Sequence, residues 1–172
     1  ASFREKKGHT YTIQAFAKAL AESPDMTLTL VGNGNAASRS EIIKTIENSG
    51  ASAQINLLPE IDFSRLHDFL KDYHVFIHPS CHTADKDCEG GAPIVLLDAQ
   101  ATGLPVISTI HCDIPDEVID GKTGILCPER DTDSLSSAIS RFSAMSQAQY
   151  SEFAVNARNH VCKHYDTHGN AE

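Results

Sequence analysis

Apolar positions recur along the chain at two alternating spacings, one helical and one strand-like. Ile13, Phe16, Ala17 and Leu20 fall three or four residues apart and predict a helix from Tyr11 to Ala21, ended by Ser23-Pro24-Asp25. Met26 to Val31 is rich in strand formers and closes on Gly32-Asn33-Gly34. Ser38 or Ser40 is placed to cap a helix running to about Asn48, with Ile42, Ile43 and Ile46 turned inward and Ser49-Gly50 as its stop. A short strand, Gln54 to Leu58, precedes a helix from Ser64 to Asp72 with Leu66, Phe69 and Leu70 inward. His74 to His78 is the next strand, and Pro79 ends it. After a polar loop, Ser80 to Gly91, Pro93 stands at the first turn of a helix reaching Thr102, with Gly103 as its C-cap. Leu104 to Ser108 and Ile125 to Cys127 are strands. Asp131 or Asp133 caps a helix to about Met145, and a last helix runs from Ser146 to about Lys163. The tail from Thr167 to Glu172 has the composition of a frayed end.

Strand and helix alternating at these intervals predict an α/β fold with a doubly wound, parallel, Rossmann-like sheet. In such sheets ligands bind beyond the carboxyl ends of the strands, so the loops after Phe3, Val31, Leu58, His78 and Ser108 are the ones to search. Ala1-Ser2-Phe3 reads as the end of a strand, followed at once by the charged turn Arg4 to Gly8. The expectation is a chain cut from a longer one, with residues 1–165 forming the domain and 166–172 the tail.

Composition narrows the functional classes. The 172 residues suffice for one domain with a core and are too few for two full ones. With 23 acidic against 14 basic residues the net charge is -9, which argues against the chain alone gripping nucleic acid. No apolar run has the length of a membrane span. Five cysteines, an odd number, with no secretory signal at the start point to reduced thiols and a cytoplasmic protein, peripheral to the membrane in any longer form.

The loop chemistry is more specific. Lys6, Lys7 and Gly8 precede the first helix, and Glu89-Gly90-Gly91-Ala92-Pro93 runs into a later one. Glycines let a backbone approach a ligand closely, and the free N–H groups at a helix start suit an anion such as phosphate. Lys7 could supply the neutralising charge; a tight turn with solvated lysines is the plainer reading. Asp98 lies two turns into the helix, sharing a face with Ile94, Val95 and Thr102 among apolar neighbours. A carboxylate there needs a partner. A ribose diol would serve, and so would the amides of a neighbouring loop.

EKKGH, LTLVGNG, VFIHPS, EGGAPIVLLDAQATGLPVIST and DIPDEVIDGKTGILC, followed by the capped helix after Asp131, stand in the order found in family 4 glycosyltransferases. The chain resembles their C-terminal domain over roughly residues 1 to 165. The resemblance implies a GT-B architecture, two Rossmann-like domains facing across a cleft, with the C-terminal one holding the donor. It implies a retaining transferase that takes a UDP-sugar or GDP-sugar as substrate, often in surface polysaccharide synthesis, with no separate cofactor and no bound metal. The partners implied are the nucleotide sugar and an N-terminal acceptor-binding domain. Carried over residue by residue, Glu89 is the first acidic residue of the signature, the catalytic carboxylate near the donor sugar, Gly90, Gly91 and Ala92 are the amide loop on the diphosphate, and Asp98 is the ribose acid. Lys7, with Gly8 beside it, is the phosphate lysine, and Gly32 belongs to the glycine turn after the second strand. Three departures stand out: eight residues rather than seven separate Glu89 from Asp98, Asp98 is one methylene shorter than glutamate, and Ser2 stands where a phosphate-binding arginine is expected. Arg4 is the nearest arginine and could replace it as a donor-binding residue.

Other chemistries fit less well. His78, Cys81, His82, Cys88, His111 and Cys112 invite a zinc reading, but no CxxC or HExxH spacing supports it. Ser80 or Cys81 with a histidine and Asp85 lacks the glycine-flanked nucleophile of a hydrolase elbow. The remaining alternatives are a GT-B sugar-nucleotide epimerase, a nucleotide-binding module without transfer activity, and a flavodoxin-like domain. The last would want aromatic walls, and the chain has no Trp.

Overall fold

A computed structural model describes residues 1–165; the tail expected to fray lies outside the described residues. Among the described residues five strands, β1 (Leu28–Val31), β2 (Ile55–Leu58), β3 (Phe76–His78), β4 (Val106–Thr109) and β5 (Gly124–Cys127), all pair in parallel. They form two sheets, β1–β2 and β3–β4–β5. Residues 1–3 run beside the end of β1: Ser2 bridges Asn33, the Ala1 amino group donates to Val31 O at 2.7 Å, and Phe3 N–H donates to Asn33 O at 2.7 Å.

The helices are α1 (His9–Ala19), α2 (Ala36–Asn48), α3 (Phe63–Leu70), α4 (Val95–Ala101), α5 (Ile114–Glu117), α6 (Thr132–Ser143) and α7 (Gln147–His164). They cover both faces of the β3–β4–β5 sheet, and the pleat shows which residues face which layer. Ile107, Ile125 and Cys127 join the core under α1 and α6, with Ile77 packed against it. Val106 joins a second core with Leu70, Leu96, Ala99 and Ile114, with Phe76 and Leu126 against it. Alternate residues of a strand point to opposite faces, so one strand feeds two cores. Leu28, Leu30 and Ile55 of the smaller sheet enter the first of these cores, which therefore runs under both sheets.

The differences from the expected elements have local causes. Asn35 caps α2 through its side chain on Ser38 N–H, ahead of the expected serines. Ile42 is buried and Ile46 half-buried, but Ile43 is 38% exposed, because one residue along a helix is about a 100° rotation away from the packed face. The helix expected from Pro93 begins at Val95: the Pro93 carbonyl accepts from Leu96 N–H, so proline sits just ahead of the helix. Asp98 consequently lies in the first turn of α4, and Ile94, expected to share its screened face, is 72% exposed. Gly103 does end this helix, at φ 79°, with its N–H on Gln100 O and that of Leu104 on Ala99 O. The short helix α5 has no counterpart among the expected elements. Asp131 caps α6, and Ser146 and Gln149 close a capping box on α7.

Candidate active site

The loops at the carboxyl ends of residues 1–3, β3, β4 and β5 converge, and their polar side chains form one network. Gly8 opens α1 in the left-handed region at φ 68°, and a Cβ there would lie 2.0 Å from Pro79 O. Glycine is therefore what lets the turn carrying Lys7 press against the loop after β3. Cys81 N–H donates to Lys6 O at 3.0 Å, and Lys6 Nζ donates to Cys88 O at 2.7 Å and meets Asp87 at 3.0 Å. These contacts hold the two loops in register around one ion pair.

That pair is Lys7 Nζ and Glu89 Oε2, 2.7 Å apart, with side chains only 18% and 8% exposed. Ser80, fully buried, donates its hydroxyl to Glu89 Oε1 at 3.0 Å. Burial alone would raise the Glu89 carboxyl. It is overcome by the adjacent His78, Lys7 and Ser80, which hold the group down at about 2. His78 Nε2 stands 3.9 Å from Glu89 Oε1, too far for a good hydrogen bond, and is otherwise without a partner among the described residues. Burial also lowers the His78 imidazole, keeping it neutral. The stabilisation of the Glu89 carboxylate is therefore assigned chiefly to Lys7 and Ser80. Glu89 is an anion with its oxygens aimed by two donors, suited to accepting hydroxyl protons or facing a developing positive charge, and unsuited to donating a proton at neutral pH.

Behind the pair, a further set of contacts positions the Glu89 backbone. The Glu89 N–H donates to His111 Nε2 at 3.3 Å. Nε2 therefore accepts, and Nδ1 carries the proton given to Glu129 Oε1 at 2.7 Å. Glu129 also takes the His82 N–H at 2.9 Å. Arg130 spans from the Glu5 carboxylate to the His82 carbonyl. The sequence does not assign Ser80, His111 and Glu129 to these roles. The serine of the VFIHPS segment is the available signal, whereas Glu129 lies 18 residues from His111 and no local pattern links them.

Other expected residues fall into place differently. The Gly91, Ala92, Ile94 and Val95 N–H groups donate to no protein acceptor among the described residues, which leaves this turn free to meet an anion. Gly90 sits at φ 76° with open space where a Cβ would be. Ala92 packs against the second core. Asp98 is 16% exposed in its side chain and lies 3.4 Å from His67 Nε2 of α3. The carboxylate is thus screened as expected, but its protein partner is a half-exposed imidazole rather than a loop amide. Gly32 is required by packing, since a Cβ would lie 1.8 Å from Ala1 O. Arg4 is exposed and lines a cleft of about 50 Å³ beside Ser38 and Glu41, and it does not join Lys7 and Glu89. Ser2, in the place expected for an arginine, is occupied by its bridge to Asn33.

Comparison with known proteins gives a consistent picture. The family described as glycosyl transferases group 1 matches residues 1–160. The chain is 30% identical over 169 residues to a Salmonella typhimurium protein assigned as the colanic acid biosynthesis glycosyltransferase WcaL, covering 96% of this chain and 40% of that protein. It is 29% identical over 143 residues to the amylovoran biosynthesis glycosyltransferase AmsK of Erwinia amylovora, covering 83% of this chain and 34% of the relative. The chain thus spans about two fifths or less of these relatives' length. Its fold is that of the C-terminal domain of the group 1 family protein LpcC from Francisella tularensis, with a TM-score of 0.81, 20% identity, and coverage of 95% of this chain and 82% of that one. Anabaena HepE, solved with UDP-glucose, superposes with a TM-score of 0.83 at 20% identity, over 96% of this chain and 43% of its own. Among the described residues no helix is long and apolar enough to cross a membrane.

Proposed function

The chain belongs to the glycosyl transferases group 1 family, and from that premise we propose that it is the donor-binding half of a retaining GT-B glycosyltransferase. An N-terminal acceptor-binding domain would complete the enzyme, and the substrate would be a UDP-sugar or GDP-sugar. The relatives named for colanic acid and amylovoran biosynthesis point to polysaccharide synthesis as the setting.

The observation that carries this reading is the Lys7–Glu89 pair on the strand-end rim, 2.7 Å apart and largely out of water. Departure of a nucleoside diphosphate from a sugar builds negative charge on the phosphate and positive charge at the anomeric carbon. A fixed cation beside a fixed anion matches that separation, and charge held in place before the reaction is a major source of catalytic power. Lys7 has further N–H groups for the phosphate beyond the one on Glu89. The unpaired amides from Gly91 to Val95 add donors that need no reorganisation. Glu89, ionised and held by Ser80, accepts from sugar hydroxyls.

The test is calorimetric titration of UDP and GDP into the chain, together with an assay using a labelled nucleotide sugar. The expected result is nucleoside diphosphate binding without transfer, since the acceptor site would belong to the other domain. Transfer by these 172 residues alone, or failure to bind either nucleotide, would overturn the reading. Epimerised donor among the products would replace it with the epimerase alternative.

A further inference from the structure

Next to the donor loop, the fold gathers sulfur and imidazole groups that the reading above does not use. A ring nitrogen of His82 and the Sγ atoms of Cys88 and Cys112 all lie within 4.8 Å of one another. They come from separate loops, His82 and Cys88 from the one after β3 and Cys112 from the one after β4. No spacing along the chain announces them, because 24 positions separate the cysteines. Cys112 Sγ is also 3.2 Å from His111 Nε2.

The surroundings hold these donors in place. His111 is fully buried and anchored to Glu129 at 2.7 Å, so the β4 side of the cluster is rigid. His82 Nδ1 lies 3.0 Å from the same carboxylate, which leaves Nε2 as the nitrogen with a free lone pair. Metal-binding histidines commonly give their other nitrogen to a carboxylate in this way. Cys112 sits at φ 46°, a left-handed backbone that residues with a side chain rarely adopt. His82 and Cys112 are exposed and Cys88 half-buried, so an ion has a path in.

We infer that His82, Cys88 and Cys112 form a binding site for a thiophilic divalent cation of the zinc class. Tetrahedral zinc at about 2.3 Å from sulfur and 2.0–2.1 Å from nitrogen sets its donors roughly 3.5–3.8 Å apart. Donors within 4.8 Å reach that spacing by small side-chain rotations. Two sulfurs and an imidazole select zinc over magnesium or calcium, which take oxygen donors. Water would supply the fourth donor, since His111 Nε2 already accepts the Glu89 N–H. On binding, the two thiols release their protons to solvent and no redox change occurs. Because Cys88 directly precedes Glu89, the ion would pin the donor loop to the turn before α5, where the Glu89 N–H already leans on His111. The site is independent of which nucleotide the chain binds.

Cobalt(II) titrated into the 172-residue chain, with a phosphine reductant keeping the thiols reduced, tests this directly. We expect a saturable sulfur-to-cobalt charge-transfer absorption at one ion per chain, discharged by added Zn²⁺. Cys88→Ser and Cys112→Ser should each abolish the absorption and weaken Zn²⁺ binding at least tenfold. Cys162→Ser, on α7, should leave both unchanged. The wild-type spectrum needs no variant, and circular dichroism of each metal-free variant shows that it is folded. Absence of the charge-transfer band in the wild type, or its survival in folded Cys88→Ser/Cys112→Ser, would overturn the inference.

Discussion

Lys7 Nζ and Glu89 Oε2 stand 2.7 Å apart although 82 positions separate them in the chain. Both side chains are mostly shielded from solvent, so neither charge is well hydrated without the other. A diphosphate arriving at this rim would find a cation already fixed in place.

If Lys7 neutralises phosphate, Lys7→Ala should weaken nucleoside diphosphate binding at least tenfold, since a charge-assisted contact contributes about 1.5–3 kcal/mol. Plain nucleoside binding should change little. Titration calorimetry with UDP and uridine makes the comparison. An equal loss for both ligands would assign Lys7 to the fold instead.

Much of this arrangement is legible in the chain, and the exceptions have physical reasons. The alternating periods reveal the layers because burial repeats about every two or 3.6 residues. Lys7, Glu89 and the glycines are readable because each stands in a short motif at a strand end. The His111–Glu129 tie is not, since it joins two loops through tertiary packing and has no local spacing. Arg4 lies apart from Lys7 and Glu89, because proximity in sequence does not set direction, and its turn carries it toward α2. Asp98 sits less deep in its helix than the pattern predicts, because Pro93 precedes the regular helix by two residues rather than opening it.

Two glycines with nearly the same backbone separate sterics from strain. Gly8 at φ 68° and Gly50 at φ 75° are both left-handed, but a Cβ at Gly8 would meet Pro79 O at 2.0 Å and one at Gly50 would meet nothing within 4 Å. Gly50→Ala should cost about 1 kcal/mol, from backbone conformation alone. Gly8→Ala should cost roughly 3 kcal/mol or more, because backbone must move. Urea denaturation of both variants checks the order, and equal losses would show that the Gly8 contact relaxes freely.

Glu117 makes stability fall as pH rises. Burial, and then the nearby Asp113 charge, push its carboxyl up to about 7 from the usual 4.5, and its Oε2 has no partner among the described residues. Between those values the folded state binds more protons than the unfolded one, so this stabilisation is complete below pH 4.5 and lost through pH 7. His9 acts in the opposite sense: burial lowers it to about 3 from 6.5, so its contribution is present above 6.5 and lost toward 3. Glu117→Gln should therefore raise Tm at pH 8, by roughly 1–3 kcal/mol in stability once partial solvent screening is allowed for, and leave it unchanged at pH 4. Calorimetric melts at the two pH values decide it, and a pH-independent shift would mean that packing rather than charge dominates.

Asp98 offers the sharpest test of donor recognition. Its carboxylate lies in the first turn of α4, close behind the free amides from Gly91 to Val95, and is 16% exposed. A ribose attached to a phosphate on those amides would reach it, and poor access to water strengthens a carboxylate's bonds to hydroxyls. The contact with His67, 3.4 Å away on a side chain 55% exposed, is weak competition, since such surface pairs contribute about 0–1 kcal/mol. Asp98→Asn keeps the size and replaces one acceptor with a donor. It should weaken binding of a ribonucleoside diphosphate several-fold to tenfold, and matter less for the 2′-deoxy form. His67→Ala should alter neither affinity by more than about threefold, in keeping with the small energy of the pair. If Asp98 instead served the fold through His67, both variants would lower Tm together and the preference for ribose would persist. Calorimetry with the ribo and deoxy ligands, alongside melting curves of the two variants, distinguishes these outcomes, and unchanged discrimination in Asp98→Asn would reject the ribose role.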